Sequence, residues 1–451
     1  MTYVNPVWPH SFPDPFVLKF RGEYWGYCTG FWTDGRCFGV IRSRDLVHWE
    51  VPEGGAGAMA PLPGGHTCYW APEVTYENGR FYLYYSVGNE ERMEIRVAVS
   101  DNPAGPFVDS GRRLTSEPFA IDAHVFVDDD GSRHLFYATD FLDHSHIGTG
   151  TVRDLMRDPF TLAGEPVPVT RPRHDWHVYH PNRPEKGYVR WHTVEGPFVL
   201  KRNGLYYQMF SGGNWQNPTY GVSYAVTDSL DSPGEWEQQE RPILRTIEGK
   251  VIGPGHNSVV RGPDNRQLVC VYHRWVSGAR VLAIDPMGWE GERLVVDGPS
   301  TEPRALSQPV FADFFDKPGG LDLRWDVRGD WFTGGGSARQ PRSDASCEAR
   351  LDIGTSSFVV EVSARALEEP QGDTGFGIGL RGFVFLIGRE LPLPPGFEPR
   401  AWHLIRVEVD GTRVEVSVDG IRWKGSLPEA GRSVSLLTYG VAAEFSGFAI
   451  S

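Results

Sequence analysis

The sequence predicts an all-β protein, a five-bladed β-propeller followed by a β-sandwich. Three observations carry that prediction: a strand unit that recurs five times, hairpin dipeptides at fixed places within it, and cleanly alternating strands after a turn-rich break. The units begin Asp14-Pro-Phe-Val-Leu, Ala71-Pro-Glu-Val-Thr, Asp122-Ala-His-Val-Phe, Glu195-Gly-Pro-Phe-Val and His256-Asn-Ser-Val-Val. In the first four, the leading residue lies eight or nine positions before a turn glycine (Gly22, Gly79, Gly131, Gly204), which gives it one equivalent place in each unit. Three of the five places hold a carboxylate: Asp14, Asp122 and Glu195.

Within a unit, an apolar strand leads into a tight turn and an aromatic strand. Asn78-Gly79, Asp130-Gly131 and Asn203-Gly204 suit two-residue hairpin turns, whose central residues both need positive φ. A second echo follows each hairpin, as in Ser43-Arg-Asp-Leu-Val-His-Trp49 and Thr227-Asp-Ser-Leu-Asp-Ser-Pro-Gly-Glu-Trp236, where a strand ends near a hydroxyl and an aspartate and closes on an aromatic. Five such sheets around an axis bring equivalent positions into one central cavity. A single aspartate there is equally a turn cap; three at one place point to a shared site.

After Trp289 the segment from Asp297 to Pro309 is turn-rich and lacks strand alternation, so it reads as a linker between a propeller over 1–305 and a sandwich over 306–451. Beyond it Phe358-Val-Val-Glu-Val-Ser-Ala alternates as one strand, and Leu404-Ile-Arg-Val-Glu-Val, Asp410-Gly411 and Thr412-Arg-Val-Glu-Val-Ser-Val form a hairpin. No segment predicts a helix of convincing length. The prolines and the apolar run Pro309-Val-Phe-Ala-Asp-Phe-Phe315 predict a sandwich packed on the propeller.

Composition excludes several function classes. The chain of 451 residues has 53 Gly and 35 Pro, as a turn-rich all-β protein requires, and a formal charge of -14, which disfavours nucleic acid because phosphate binding needs clustered Lys and Arg. Five scattered cysteines form neither a metal-type array nor an even disulfide framework and read as reduced thiols. No apolar run approaches the roughly 18 residues of a membrane span, and the first residues lack a basic region before an apolar core, so a cytoplasmic protein is the expectation.

The ordered set Asp14-Pro15, Trp70-Ala-Pro-Glu73, Ile121-Asp122 before Val125-Phe-Val-Asp-Asp-Asp-Gly131, Val194-Glu195-Gly-Pro197 and Gly255-His256-Asn257-Ser258 closely resembles the motifs of glycoside hydrolase family 43. The resemblance covers the first 300 residues or so; more loosely, Ala401-Trp402-His-Leu-Ile-Arg-Val and Val418-Asp419-Gly420 resemble the lectin-like sandwiches attached to such propellers. It implies Asp14 as general base, Glu195 as general acid and Asp122 as the residue that tunes and orients the acid. The chemistry supports these roles independently. Inverting hydrolysis needs one carboxylate to activate water and a protonated carboxyl on the other face of the sugar, about 6.5 to 9.5 Å away. A third carboxylate near the acid raises the energy of its ionised form.

The resemblance further implies that His256 lies on the axis beneath the sugar, contacting a calcium or another ion through waters, and that Arg274 reaches sugar hydroxyls. Taken alone, His256 is equally a core residue, and no organic cofactor is expected. Trp70, Phe31 and Trp32 offer flat faces to a sugar ring. His177, His180 and His192 read as cavity rim, because they lack the compact spacing of a zinc site. A retaining fructosidase is the first rival, but Pro13-Asp14-Pro15-Phe16 and Glu195-Gly196 depart from its motifs; a propeller that only binds glycans is the second, and the three carboxylates argue against it. The expected activity is release of α-L-arabinofuranosyl units from plant-derived oligosaccharides, with β-D-xylosidase and endo-arabinanase as alternatives of the same family. Its partner is then an arabinose- or xylose-containing oligosaccharide, with neither nucleic acid nor membrane.

Overall fold

The computed structural model describes residues 1–451 except 188, 233, 381–382, 392–395 and 428–431. Strands dominate, and the described helices are two single 3₁₀ turns, Asp175–His177 and Pro184–Lys186. Five blades of antiparallel strands form the propeller, and a short parallel pairing, Gly148↔His192 and Thr149↔Thr193, joins blades 3 and 4 into one sheet. The innermost strands of the five blades are Phe16–Phe20, Cys68–Glu77, Ala120–Val127, Val189–Arg202 and Ile252–Arg261, each paired outward to the next strand in sequence. The N-terminal strand Trp8–Ser11 adds to the outer side of the fifth blade through Trp8↔Leu282 and Ser11↔Val281, which ties the first residues to the last blade.

The alternation of strand side chains explains why the second strand of each blade is aromatic. Successive residues face opposite neighbours, so one strand supplies two inter-blade cores. In blade 2, Phe81, Leu83 and Tyr85 pack against Trp25, Tyr27 and Val40 of blade 1, whereas Tyr84 packs with Leu135 and Tyr137 of blade 3. In blade 4, Tyr206 faces Phe126 and Phe136 of blade 3, and Tyr207 faces Cys270 and Tyr272 of blade 5.

Every inner strand of blades 2 to 5 carries a β-bulge near its start, between Trp70 and Glu73, Ile121 and His124, Glu195 and Phe198, and Gly255 and Ser258. The bulge holds one residue in the left-handed region: Ala71 (φ 42°), Asp122 (φ 61°), Gly196 (φ 58°) and His256 (φ 50°), with Asp14 (φ 51°) in the same place in blade 1. Here the structure departs from the equivalence expected of the three carboxylates. Asp14 and Asp122 are the left-handed residues of their blades, but Glu195 lies one residue earlier, opposite Ser211 as Trp70 is opposite Ser86. The glycine spacing concealed this because the blade 3 turn, from Asp128 to Ser132, is longer than the Asn203-Gly204 turn.

The stretch read as a linker contributes a short strand, Arg304–Ala305, which pairs with Thr2–Tyr3. Beyond it, sheets of eight and five strands pack around a continuous apolar core that includes Trp325, Phe358, Ile378, Ile405 and Phe445. The sandwich docks on the turns of the inner hairpins, the ends of blades 1, 2 and 5 farthest from the bulges. Glu361 meets Lys19 at 3.0 Å and Arg406 at 2.6 Å, while the Trp402 amide donates to the Tyr76 hydroxyl at 3.0 Å. Two glycines allow this approach. A Cβ on Gly22 would stand 2.8 Å from the Gly447 Cα, and one on Gly447 would stand 2.2 Å from the Arg21 carbonyl oxygen.

Candidate active site

A cavity of about 330 Å³ opens over the bulges, and Asp14, Asp122, Glu195, Trp70, His256 and Arg280 are among the residues that line it. Asp14 and Asp122 are buried, whereas Glu195 is half-buried and faces the cavity. The three predicted carboxylates therefore meet, from blades 1, 3 and 4.

Their surroundings drive them to different charge states. Burial opposes ionisation of Asp14, but the Arg280 guanidinium at 2.7 Å, with His256 and His273 beside it, outweighs that cost and holds its carboxyl well below the usual range. Glu195 is pushed by burial up to about 7; the Tyr220 hydroxyl, donating to Oε1 at 2.7 Å, limits the rise and Asp14 adds to it. Burial and the charges of Glu195 and Asp14 push Asp122 upward too, against the Gly196 amide, which donates to its Oδ2 at 3.0 Å. That amide favours the ionised form of Asp122 and so draws the proton the pair shares toward Glu195. The result is a carboxylate able to accept a proton from water and a carboxylic acid able to give one up, in the same cavity.

The remaining predicted residues divide. Trp70 and His256 line the cavity, and His256 Nδ1 lies 3.6 Å from Asp14 Oδ1. Phe31 does not line it: the ring is 53 % exposed and packs edge-on against Tyr69. Arg274 does not either. It is buried and donates to the Ser300 carbonyl at 2.8 Å, because it pairs across its hairpin with Val281, on the strand face turned away from the cavity. The next pair is Trp275↔Arg280, and parity puts Arg280 on the cavity face, where it stacks over Trp215 at 4.4 Å. His177 is buried in the 3₁₀ turn, His192 is buried on the strand leading to Glu195, and His180 is exposed.

Sequence reasoning missed Arg280, Tyr220 and Arg183, all of which line the cavity. No motif marks Tyr220 or Arg183, but the Ser277-Gly278 turn, once located, would have fixed the parity that selects Arg280 over Arg274. A smaller space of about 20 Å³ lies among the bulge residues of all five blades, large enough for one water or ion. His256 lines it, as does Asn257, whose Oδ1 is buried without a partner. Among the described residues no three His, Cys, Asp or Glu side chains group as metal ligands.

A five-bladed propeller with a protonated and an ionised carboxyl in its axial cavity defines a glycosidase, and the comparisons give the family. Residues 3–293 match the pattern of Glycosyl hydrolases family 43, and the chain belongs to that family. It is 32% identical over 308 residues to the β-D-galactofuranosidase xynD of Aspergillus niger, covering 63% of this chain and 81% of that one. Over 215 residues it is 30% identical to an extracellular exo-α-(1→5)-L-arabinofuranosidase of Streptomyces chartreusis, covering 45% of this chain and 62% of that one. Among solved structures, a thermostable family-43 glycoside hydrolase aligns at 34% identity and a TM-score of 0.60 over 67% of this chain and 98% of its own. A family-43 protein from Bacillus licheniformis aligns over 100% of this chain and 99% of its own at a TM-score of 0.52, and at 18% identity the likeness is one of fold.

Proposed function

We propose that the protein is an inverting, exo-acting glycosidase that removes terminal α-L-arabinofuranosyl units from plant-derived oligosaccharides. The observation that carries this reading is the division of charge states in one cavity, Asp14 ionised beside Arg280 and Glu195 protonated up to about pH 7. Asp14 takes a proton from the attacking water, Glu195 gives its proton to the departing glycosidic oxygen, and Asp122 keeps that proton available. A volume of about 330 Å³ is at the small end of ligand sites, roughly 300–1,000 Å³, and suits a chain end better than the middle of a polymer.

Two relatives, 32% identical over 308 residues and 30% over 215, are both named for furanosides, which favours a five-membered sugar ring, while a third, 41% identical over only 69 residues, is named a xylosidase/arabinosidase. Because one of them is a β-D-galactofuranosidase, a hexofuranoside is the second reading. Rates on aryl α-L-arabinofuranoside, aryl β-D-galactofuranoside and aryl β-D-xyloside test the order. The arabinoside should be hydrolysed fastest, and a faster xyloside would overturn the furanoside assignment.

The small axial space has room for one cation such as calcium, which would take the unpartnered Asn257 Oδ1 and water oxygens in the adjoining cavity as ligands, with His256 reached through that water. Bound there, it would supply a fixed positive charge beneath the sugar. Chelation should then lower the melting temperature and added calcium restore it, because an ion that binds only the folded state stabilises it. An unchanged melting temperature would leave His256 as a core residue.

A further inference from the structure

The five left-handed bulge residues share a second property that reaches beyond their side chains. Each donates its backbone N–H to a side chain of the preceding blade: Asp14 to His273 Nδ1 at 3.1 Å, Ala71 to Thr29 Oγ1 at 2.7 Å, Asp122 to Ser86 Oγ at 2.9 Å, Gly196 to Asp122 Oδ2 at 3.0 Å and His256 to Ser211 Oγ at 2.7 Å. Blade 5 clasps blade 1, 1 clasps 2, 2 clasps 3, 3 clasps 4, and 4 clasps 5, so the bonds close a ring around the axis.

In four blades the acceptor occupies one place on or just beyond the second strand. Ser86, Ser211 and His273 each pair across the sheet with the residue that precedes the left-handed one, namely Trp70, Glu195 and Gly255. In blade 3 that place holds Ala138, paired with Ile121 and fully buried. Alanine has nothing to offer the Gly196 amide. The neighbouring hydroxyl, Thr139, is committed to the Phe119 carbonyl at 2.8 Å. The acceptor comes instead from Asp122, a residue of the inner strand and of the cavity.

We propose that the Asp122 carboxylate is the fifth clasp of this ring, and that Ala138 is a positioning residue. By withholding the hydroxyl that its counterparts supply, Ala138 commits Asp122 to the Gly196 amide and so holds that carboxylate beside Glu195. A buried amide without an acceptor is costly, so the backbone of blade 4 selects the Asp122 rotamer. A bond from N–H to an ionised carboxylate is also stronger than one to a neutral hydroxyl. The clasp in blade 3 thus joins the integrity of the ring to the group that tunes the acid.

The test pairs two substitutions. Asp122→Ala orphans the Gly196 amide and should lower the melting temperature by a few degrees, and it should abolish most activity. Adding Ala138→Ser supplies an acceptor at the place used in blades 2 and 4. The double variant should regain part of the lost melting temperature and none of the activity. Alanine at 122 also strains a left-handed backbone, which a serine at 138 cannot relieve, so the recovery reads the hydrogen bond alone.

In the otherwise unchanged chain, Ala138→Ser competes for the Gly196 amide. Asp122 then loses a partner that favours its ionised form, the proton the pair shares shifts from Glu195 toward Asp122, and the alkaline limb of kcat/KM should move to lower pH. The charged groups facing Asp122, namely Glu195, Asp14 and Arg280, are untouched by this change. A double variant that regains no stability, or a limb that stays in place or moves upward in the single variant, overturns the proposal. Should Asp122→Ala not fold, the pH limb of Ala138→Ser decides alone. The pH arm rests on Glu195 being the acid and the stability arm does not, so the two readings fail separately.

Discussion

Glu195, half-buried at the cavity, and Glu361, buried against the opposite end of the propeller's inner hairpins, finish in opposite protonation states. Burial raises the cost of charge on each. At the sandwich interface, Lys19 and Arg406 more than offset that cost and hold Glu361 below the usual carboxylate range. In the cavity no cation of the described residues pairs with Glu195, whose direct partner is the Tyr220 hydroxyl, and its pKa rises to about 7. One carboxylate is thereby a fixed anion that locks two domains, and the other is a proton donor. Burial sets the energy at stake in both places, and the first partner decides whether it stabilises the fold or is available for chemistry.

The largest effect expected from breaking this contrast is at the cavity. Glu195→Ala should slow cleavage of natural oligosaccharides by about 10²–10⁴-fold, the usual worth of general acid catalysis. It should spare much of the rate on an aryl glycoside with an acidic phenol, which departs without a proton. Asp14→Ala should fail on both substrates, because water must be activated whatever leaves. Initial rates on the two substrates check this, and equal losses on both for Glu195→Ala would remove it from the role of acid.

At the other end the signs reverse. Glu361→Gln leaves Lys19 without its anion and Arg406 with Glu408 alone, and should cost about 3–5 kcal/mol of stability, the scale for breaking a buried pair. The kcat of the folded variant should stay near normal. Thermal denaturation with parallel rate measurements checks both halves.

The smallest effect sharpens the comparison. With Asp14 held ionised far into acid and Glu195 protonated up to about 7, kcat/KM should be flat through mildly acidic pH and fall about tenfold per pH unit above 7. The Tyr220 hydroxyl lowers the Glu195 pKa. Tyr220→Phe should therefore move the alkaline limb to higher pH, whereas the Glu361 variant should leave it in place.

The blades and the three carboxylates were legible because a propeller repeats its pattern and because turn glycines mark where each strand reverses. Legibility ended where a single residue of register matters. Asp122 and Glu195 both lie nine positions before a glycine, yet the turn after Asp122 is longer and Glu195 precedes its bulge residue. Arg274 and Arg280 are separated by parity across a hairpin whose Ser277-Gly278 turn had not been located, so the arginine turned away from the cavity was taken for the one that lines it. Tyr220 reaches Glu195 from the start of another strand, and no local pattern encodes a contact of that kind. The packing of the sandwich was visible only as an apolar run after the linker, because its ion pairs to the propeller, Lys19 to Glu361 and Arg44 to Asp316, join residues far apart in sequence.

The central claim is that Asp14 activates water directly, on the face of the sugar opposite Glu195. Proton NMR during hydrolysis of an aryl α-L-arabinofuranoside tests it most directly, since the first anomer formed reports the face of attack before mutarotation mixes the products. The account predicts that β-L-arabinose appears first. Initial release of the α-anomer would mean a covalent intermediate and a second displacement, and would contradict the assignment of Asp14 as general base.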